Sequence, residues 1–514
     1  MSCSKIFLGD LPELTYEVVK YFHNDFSTLY SCVLINRLWC RLVTPLLWEN
    51  PFSIRTRNYN YLEVYLQYLN DDIKTQLKEY KVINNSLPSN TFFNYSMFLK
   101  HLNIHKFVLS FENWLRAKTP TFEIRFTILL NDICTSLFKI FIENEIKLHT
   151  LELEIYFLYS DTIYDNIIKL ILKHPNFIHN IRNLKYLVRD FCTNIPVNDH
   201  LLQIIKSHQN SKKNLLSGYI DFRLYQSLLF SKDFNCSNTL NTITFYRANL
   251  IHFTSNIFEQ LNVLESVHII YCYSLNENFL QQINNLTKPF KLKSLFMDGL
   301  ISIESIELLL QKSGSYLENF GYKIRNSLIS QRHLELIIKY CKNLKFLDFH
   351  GYENRVTFRV IENIIKQNLN YLSINIGRDC YGNIKGSSII LQNLGQVLPS
   401  KLEYLSLTLT IKRSKFRVFL ENSQNIFINK LLIMQIGSYD ILHYTKEFIM
   451  NEKRVNYLAI RNSYNIDLYD LRDVVKEFKL HNIKVRSFYD LSLSDKLNHP
   501  RDSLNNNLID YLRG

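Results

Sequence analysis

Between Leu240 and Ile460 one apolar signature recurs, with leucine-like residues at the first, fourth and sixth positions of each copy. It reads Leu240-Ile243-Phe245, Leu264-Val267-Ile269, Leu292-Leu295-Met297, Leu317-Phe320-Tyr322 and Leu344-Leu347-Phe349. It continues through Leu369-Leu372-Ile374, Leu402-Leu405-Leu407, Leu431-Met434-Ile436 and Val455-Leu458-Ile460. Successive starts stand 24, 28, 25, 27, 25, 33, 29 and 24 residues apart. A unit of that size buries its leucines only against the next unit, so the signature commits the chain to a stacked array.

The segments between copies set the layering. Residues 331 to 341 carry Leu334, Ile337, Ile338 and Cys341 on one helical stripe, and 358 to 365 carry Phe358, Ile361, Ile364 and Ile365 in the same way. Strand followed by helix, again and again, places parallel strands side by side with helices outside them. The expected fold class is an α/β solenoid. Leu148-Leu151-Leu153 and Leu184-Leu187 read as earlier, weaker copies, so the array is expected over 148–495, with a polar tail at 496–514. One copy, Leu264 through Leu275 with Cys272 between, follows Leu-x-x-Leu-x-Leu-x-x-Cys-x-x-Leu. The copies resemble degenerate leucine-rich repeats, which implies a horseshoe with parallel strands inside and helices outside. The uneven spacing leaves an ordinary α/β domain as the alternative.

Alternation along a strand turns the repeat into a site. Positions three, five and seven point away from the leucines, onto what would be the concave face. That face would present Thr242, Thr244 and Tyr246, then Ser266, His268 and Ile270, then Ser294, Phe296 and Asp298. Further copies add Phe346, Asp348 and His350, Tyr371, Ser373 and Asn375, Tyr404, Ser406 and Thr408, and finally Tyr457 and Arg461. Exposed aromatics among polar groups are what interface cores favour. Tyr246, His268, Phe296, Phe346, Asp348, His350, Tyr371, Tyr404, Tyr457 and Arg461 are therefore the expected target-binding residues.

Ahead of the array, residues 11 to 52 read LPELTYEVVKYFHNDFSTLYSCVLINRLWCRLVTPLLWENPF. Leu11-Pro12 fixes an extended entry, and Leu14, Val18, Val19 and Phe22 fall at helical spacing behind it. Ser27 or Asp25 can cap a second helix through Leu29, Cys32 and Val33, and Asn36 a third holding Leu38, Trp39 and Leu42. Pro45 should end or kink the third, leaving Leu46, Leu47 and Trp48 as a closing anchor. Three helices this short cannot hide all their apolar side chains among themselves, which predicts docking.

This stretch resembles the F-box family in its leading Leu-Pro, its alternating helices, the run Cys32-Val33-Leu34-Ile35-Asn36, Trp39 after Arg37, and the closing Leu47-Trp48. The resemblance covers the first tenth of the chain. It implies docking to a Skp-type adaptor and, through it, to a cullin-based ubiquitin ligase. Leu11, Pro12, Val18, Leu29, Val33 and Trp39 would be adaptor-facing or motif-core positions. The expected domains are thus an F-box at 1–52, a helical connector at 53–147, and the solenoid. In the connector, Leu62, Tyr65, Leu66 and Leu69 share a helical face, and Asn84-Asn85-Ser86-Leu87-Pro88 marks a loop.

Composition narrows the chemistry. The net charge of +13 is spread along the sequence, so no basic stripe for nucleic acid is expected. The 9 cysteines include no Cys-x-x-Cys pair, which fits reduced thiols in cytoplasm or nucleus. No apolar run approaches the ~18 residues of a membrane span. His101 and His105 are four apart but lack the third ligand of a metal site, and Gly382 to Ser388 lacks the Gly-Lys-Ser/Thr ending of a phosphate loop, reading as a turn. No catalytic motif appears and no cofactor or metal is expected. The sequence reading is a non-catalytic substrate-recognition subunit of a Skp-cullin-F-box ubiquitin ligase. A non-degradative repeat scaffold for protein partners is the alternative.

Overall fold

The computed structural model describes residues 12–23, 25–54, 59–83, 91–118, 124–156, 161–179, 181, 183–189, 203–204, 214–218, 241–246, 248–251, 256–272, 275, 277–298, 302–323, 327–351, 355–366, 369–376, 384–400, 402–437, 441–450, 452–464 and 466–493. Two compact units emerge: Met1–Ile243 with Gln260–Val263, and Thr244–Glu259 with Leu264–Gly514. The expected site residue Leu11, the anchor Leu240 and the tail 496–514 lie outside the described residues.

The first unit opens with three helices, α1 (Pro12–Lys20), α2 (Phe26–Val33) and α3 (Arg37–Leu47). Pro12 starts α1, where its missing N–H costs nothing and its fixed φ suits the first turn. Asp25, not Ser27, caps α2 by accepting from Thr28 N at 3.2 Å, and Asn36 caps α3 by accepting from Trp39 N at 2.9 Å. Pro45 does not end α3. Its lost donor falls in the last turn, and the Trp48 N–H still reaches Thr44 O at 3.1 Å.

Behind these helices the connector is helical over Glu63–Leu66 and Asp71–Glu79, but residues 92–103, whose apolar spacing is also near helical, give a short 3-10 turn and then a strand at His101–Asn103. Leu62, Tyr65, Leu66 and Leu69 are buried in one core with α4 (Ile104–Lys118) and α5 (Ile124–Glu143). Three short parallel strands complete it: β1 (His101–Asn103), β2 (Thr150–Tyr156) and β3 (Asn183–Arg189), with Leu102, Leu151 and Leu184 in register. The weak copies at 148 and 184 therefore share a sheet with a strand inside the connector. His101 sits on that strand and His105 on α4, so the two do not share a helix face.

The second unit is a succession of strand and helix whose strands stand in chain order. They are β4 (Thr242–Tyr246), β5 (Ser266–Ile270), β6 (Leu292–Asp298), β7 (Asn319–Lys323), β8 (Phe346–His350), β9 (Tyr371–Asn375), β10 (Tyr404–Thr410), β11 (Ile428–Ile436), β12 (Val455–Asn462) and β13 (Lys484–Val485). From β5 to β13 each pair is parallel. Leu295, Phe320, Leu347, Leu372, Leu405, Leu431 and Leu458 form one continuous row, buried to 2% exposure or less. Helices α6 (Ile303–Ser313), α7 (Ser327–Tyr340), α8 (Arg355–Ile365), α9 (Ile384–Val397) and α10 (Arg413–Asn422) fall between the strands, and Leu334, Ile337, Cys341, Ile361, Ile364 and Ile365 are buried as their periodicity requires.

Leu405 and Leu407 pair with Leu431 and Ile433, so the copy on β11 is Ile428-Leu431-Ile433, and Met434 stands opposite Thr408 on the other face. The frame Leu431-Met434-Ile436 is three residues late, because Leu431 fits two positions of the pattern. Residues 384 to 388 of the glycine-rich segment are the start of α9, not a turn, and Ser387 Oγ accepts from Thr410 N at 3.1 Å.

Candidate protein-interaction surfaces

The front bundle has its own small core: Val19, Leu29, Cys32, Trp39, Val43 and Leu46, with Tyr16, Phe22, Val33 and Leu47 packed against it. On α1 Thr15 and Val19 face this core, and Phe22 joins them from the turn that follows. The adjacent stripe, Leu14, Val18 and Tyr21, faces outward although it is apolar. Tyr30, Leu34 and Ile35 do the same at the end of α2, with Tyr21 90% and Leu34 72% exposed. Among the expected adaptor residues, Leu29 and Trp39 are buried core, Val33 and Pro12 are partly covered, and Val18 is on the surface. Surplus apolar surface on a bundle this small is what a docking partner covers.

A polar and aromatic joint fixes the bundle to the rest of its unit. The Glu49 carboxylate, nearly inaccessible, takes Lys100 Nζ on one oxygen and His23 Nε2 at 3.1 Å on the other. Its backbone oxygen accepts from Lys100 N at 3.0 Å and His101 N at 2.9 Å, so α3 and β1 share one anchor. Trp48 meets the rings of Tyr61, Tyr65 and Tyr95 edge-on or tilted, at 6.2, 5.7 and 4.3 Å. The expected anchor Leu46-Leu47-Trp48 is divided: Leu46 and Leu47 stay in α3 and pack in the bundle core, whereas Trp48 packs onto the connector.

In the second unit the non-leucine face carries three rows. One runs Ser294, Asn319, Phe346, Tyr371, Tyr404, Lys430, Tyr457, and the next runs Phe296, Gly321, Asp348, Ser373, Ser406, Leu432, Ala459. The third runs Lys323, His350, Asn375, Thr408, Met434, Arg461. The expected target-binding residues do share this face, but the expected exposure is wrong for half of them. His268, Phe296, Phe346, Asp348 and Tyr404 are buried, while His350, Tyr371, Tyr457 and Arg461 are partly open. The Tyr246 side chain lies outside the described residues.

Neighbouring rings shield one another. Strands stand about 4.8 Å apart, so aromatic side chains on adjacent strands meet along the row Phe346, Tyr371, Tyr404, and Phe296 of the next row reaches Phe346 past Gly321. Phe296 lies 5.8 Å from Phe346, Phe346 6.3 Å from Tyr371, and Tyr371 6.0 Å from Tyr404. The Tyr371 phenol, partly desolvated and donating to Glu403 Oε2 at 2.9 Å, is pushed up to about 12 by burial and by that carboxylate. Asp348 takes the Tyr271 hydroxyl and His350 Nε2 on the same oxygen, each at 3.0 Å. His268 Nδ1 and Ser294 Oγ are 2.7 Å apart, and Asn319 donates to that hydroxyl at 3.0 Å.

At the C-terminal end of the sheet a segment that the sequence reading passed over covers the same face. Residues 486–493 leave β13, and Phe488 enters a pocket of Tyr404, Leu432, Met434 and Ala459, with Tyr371, Tyr489, Leu491 and Leu493 around it. Neither alternation nor helical spacing marks this stretch, so only its aromatic content could have drawn notice.

Among the described residues no group of three His, Cys, Asp or Glu side chains is placed to hold a metal, and no helix is long and apolar enough to cross a membrane. No protein-family model matches the chain, and no curated protein matches it.

Proposed function

We propose that the chain is the substrate-recognition subunit of a Skp-cullin-F-box type ubiquitin ligase. The front bundle is the F-box that docks a Skp-type adaptor, and the repeats are a leucine-rich-repeat horseshoe that holds a target protein. The observation that carries this reading is the outward apolar stripe Leu14, Val18 and Tyr21 on a bundle that already owns a closed core. Leaving several large apolar side chains in water is costly, at roughly 25 cal/mol per Å² of apolar surface, unless a partner removes them. The Glu49 joint supports it, because a bundle held at a fixed attachment point positions whatever it docks.

In this role the chain performs no bond-making step. Its contribution is proximity: a target held at one surface and an adaptor at another raises the effective concentration of the transferring enzyme at the target. The test is co-expression of the full chain with a Skp-type adaptor. Co-purification is expected, and it should be lost when Val18 and Leu34 are both changed to Asp. An intact, folded chain that never co-purifies with the adaptor would return the repeats to the second reading, a scaffold without a ligase, which their parallel stacking serves equally well.

A further inference from the structure

We infer that the face across β9 to β12 is a groove for a short aromatic and leucine-rich peptide of a partner protein, and that residues 486–493 occupy it as an internal copy of that peptide. The inference rests on the reading that targets bind this sheet face, and it names their chemistry.

The segment shows what the groove accepts. Its sequence is Arg486-Ser487-Phe488-Tyr489-Asp490-Leu491-Ser492-Leu493; Arg486 N still donates to Leu458 O of β12 at 3.0 Å, and from Phe488 to Leu491 the chain forms one helical turn against the sheet face. At the start, Asp467 Oδ2 accepts from Phe488 N at 2.9 Å and from Ser487 Oγ at 3.2 Å. Phe488 then fills the apolar pocket, completely buried, while Tyr489 lies against the Arg461 guanidinium at 4.2 Å. At the far end the Tyr404 hydroxyl accepts from Leu493 N at 3.1 Å.

Each element is a recognition device that a peptide in trans could use. A buried carboxylate holds a main-chain N–H, an aromatic pocket and a cation select two adjacent rings, and a phenol reads a second N–H five residues on. The matching partner pattern is aromatic, aromatic, any residue, Leu, any residue, Leu.

The pocket is built from the face, not from the leucine core. Leu432, Met434 and Ala459 project opposite to Leu431, Ile433 and Leu458, which close the core from the other side of the same strands. Removal of the segment therefore opens a surface without breaching the core. A groove filled by its own chain binds an external peptide only in the fraction of molecules where that chain has lifted, which lowers apparent affinity in proportion.

The test uses a fluorescent peptide copying residues 486–493 and three full-length chains: unchanged, Phe488→Ala, and Phe488→Ala with Leu432→Arg. The Phe488→Ala chain should bind the peptide about tenfold or more tightly than the unchanged chain, and Leu432→Arg should abolish the gain. A folded Phe488→Ala chain that takes up no peptide would overturn the inference. Hydrogen exchange on the unchanged chain gives a second readout should Phe488→Ala unfold. The amides of Phe488 and Leu493 should exchange about a hundredfold faster than those of β10 and β11 beneath them. Equal rates would make the segment part of the fold and end the proposal. Neither assay involves the adaptor, so failure here and failure of the ligase reading are told apart.

Discussion

The ring of Phe296 occupies the space that a side chain on Gly321 would need: a Cβ there would fall 2.0 Å from Phe296 Cδ1. The two are paired neighbours on β6 and β7, in the row that continues to Asp348. Gly321→Ala should therefore destabilise the second unit by about 1–3 kcal/mol, the usual cost of overpacking. Phe296→Leu frees the same space, so the double variant should lose less than the sum of the two singles. Denaturant melts of the four chains measure this, and strict additivity would show that the ring does not need the glycine.

Glu49 gives a comparable test in the first unit. Its carboxylate is held by Lys100 and His23 in a nearly closed site, and removal of one partner from a buried pair leaves the other charge stranded. Lys100→Met should cost about 2–4 kcal/mol of unfolding free energy, the lower part of the range reflecting the partly open lysine. The exposed pair of Lys339 and Glu307 should show no comparable loss when broken. Thermal melts of both variants provide the comparison.

The legible and illegible parts of this chain divide along physical lines. Leu295, Leu347, Leu372 and Leu405 were readable because a buried row in a parallel sheet repeats at the period of the unit, and nothing else in the sequence does. Met434 was misframed for the converse reason: Leu431, Leu432, Ile433 and Met434 are all apolar, so alternation gave no signal about which two faced the core. The burial of Phe346 and Tyr404 was out of reach. It depends on ring-to-ring spacing between strands and, for Tyr404, on residues 486–493, which arrive from 89 positions away at the Tyr404–Leu493 contact. Thr15, fully buried on α1 beside Val19, is masked in the sequence by Leu14, because residue type favours the larger apolar neighbour.

Acidity should weaken the joint between consecutive repeats. Glu318 precedes β7 and meets Lys345 at 2.8 Å and Lys293 at 3.6 Å, so one carboxylate ties three copies. Burial would raise it, but the hydrogen bond from Lys345 and the charges of both lysines outweigh that and hold it below the ordinary 4.5. A depressed folded value means that the unfolded chain binds the proton first. The stabilisation is therefore complete above pH 4.5 and fades as the pH falls through the lower, folded value. Glu318→Gln should cost under about 1 kcal/mol at neutral pH, because both lysines are about half exposed and the pairs are screened by solvent. The difference from the unchanged chain should vanish in acid and shrink in high salt. A deficit that persists unchanged at low pH would place the effect in packing rather than charge.

The front bundle separates two roles that a single alanine scan would merge. Leu29 and Trp39 are core, so truncating either should unfold the bundle, at about 2–5 kcal/mol, and would abolish any docking for reasons unrelated to contact. Val18 and Leu34 touch solvent, and replacing them with Asp removes apolar surface without opening a cavity. Their effect on stability should stay within about 0.5 kcal/mol, as for other surface positions. Adaptor capture should nonetheless fall sharply, since a charge at the centre of an apolar interface is desolvated without a partner. Circular dichroism melts run alongside adaptor pull-downs decide it. Loss of capture with an unchanged melt assigns Val18 and Leu34 to the interface, whereas full capture by the double Asp chain would move the docking surface off α1 and α2 altogether.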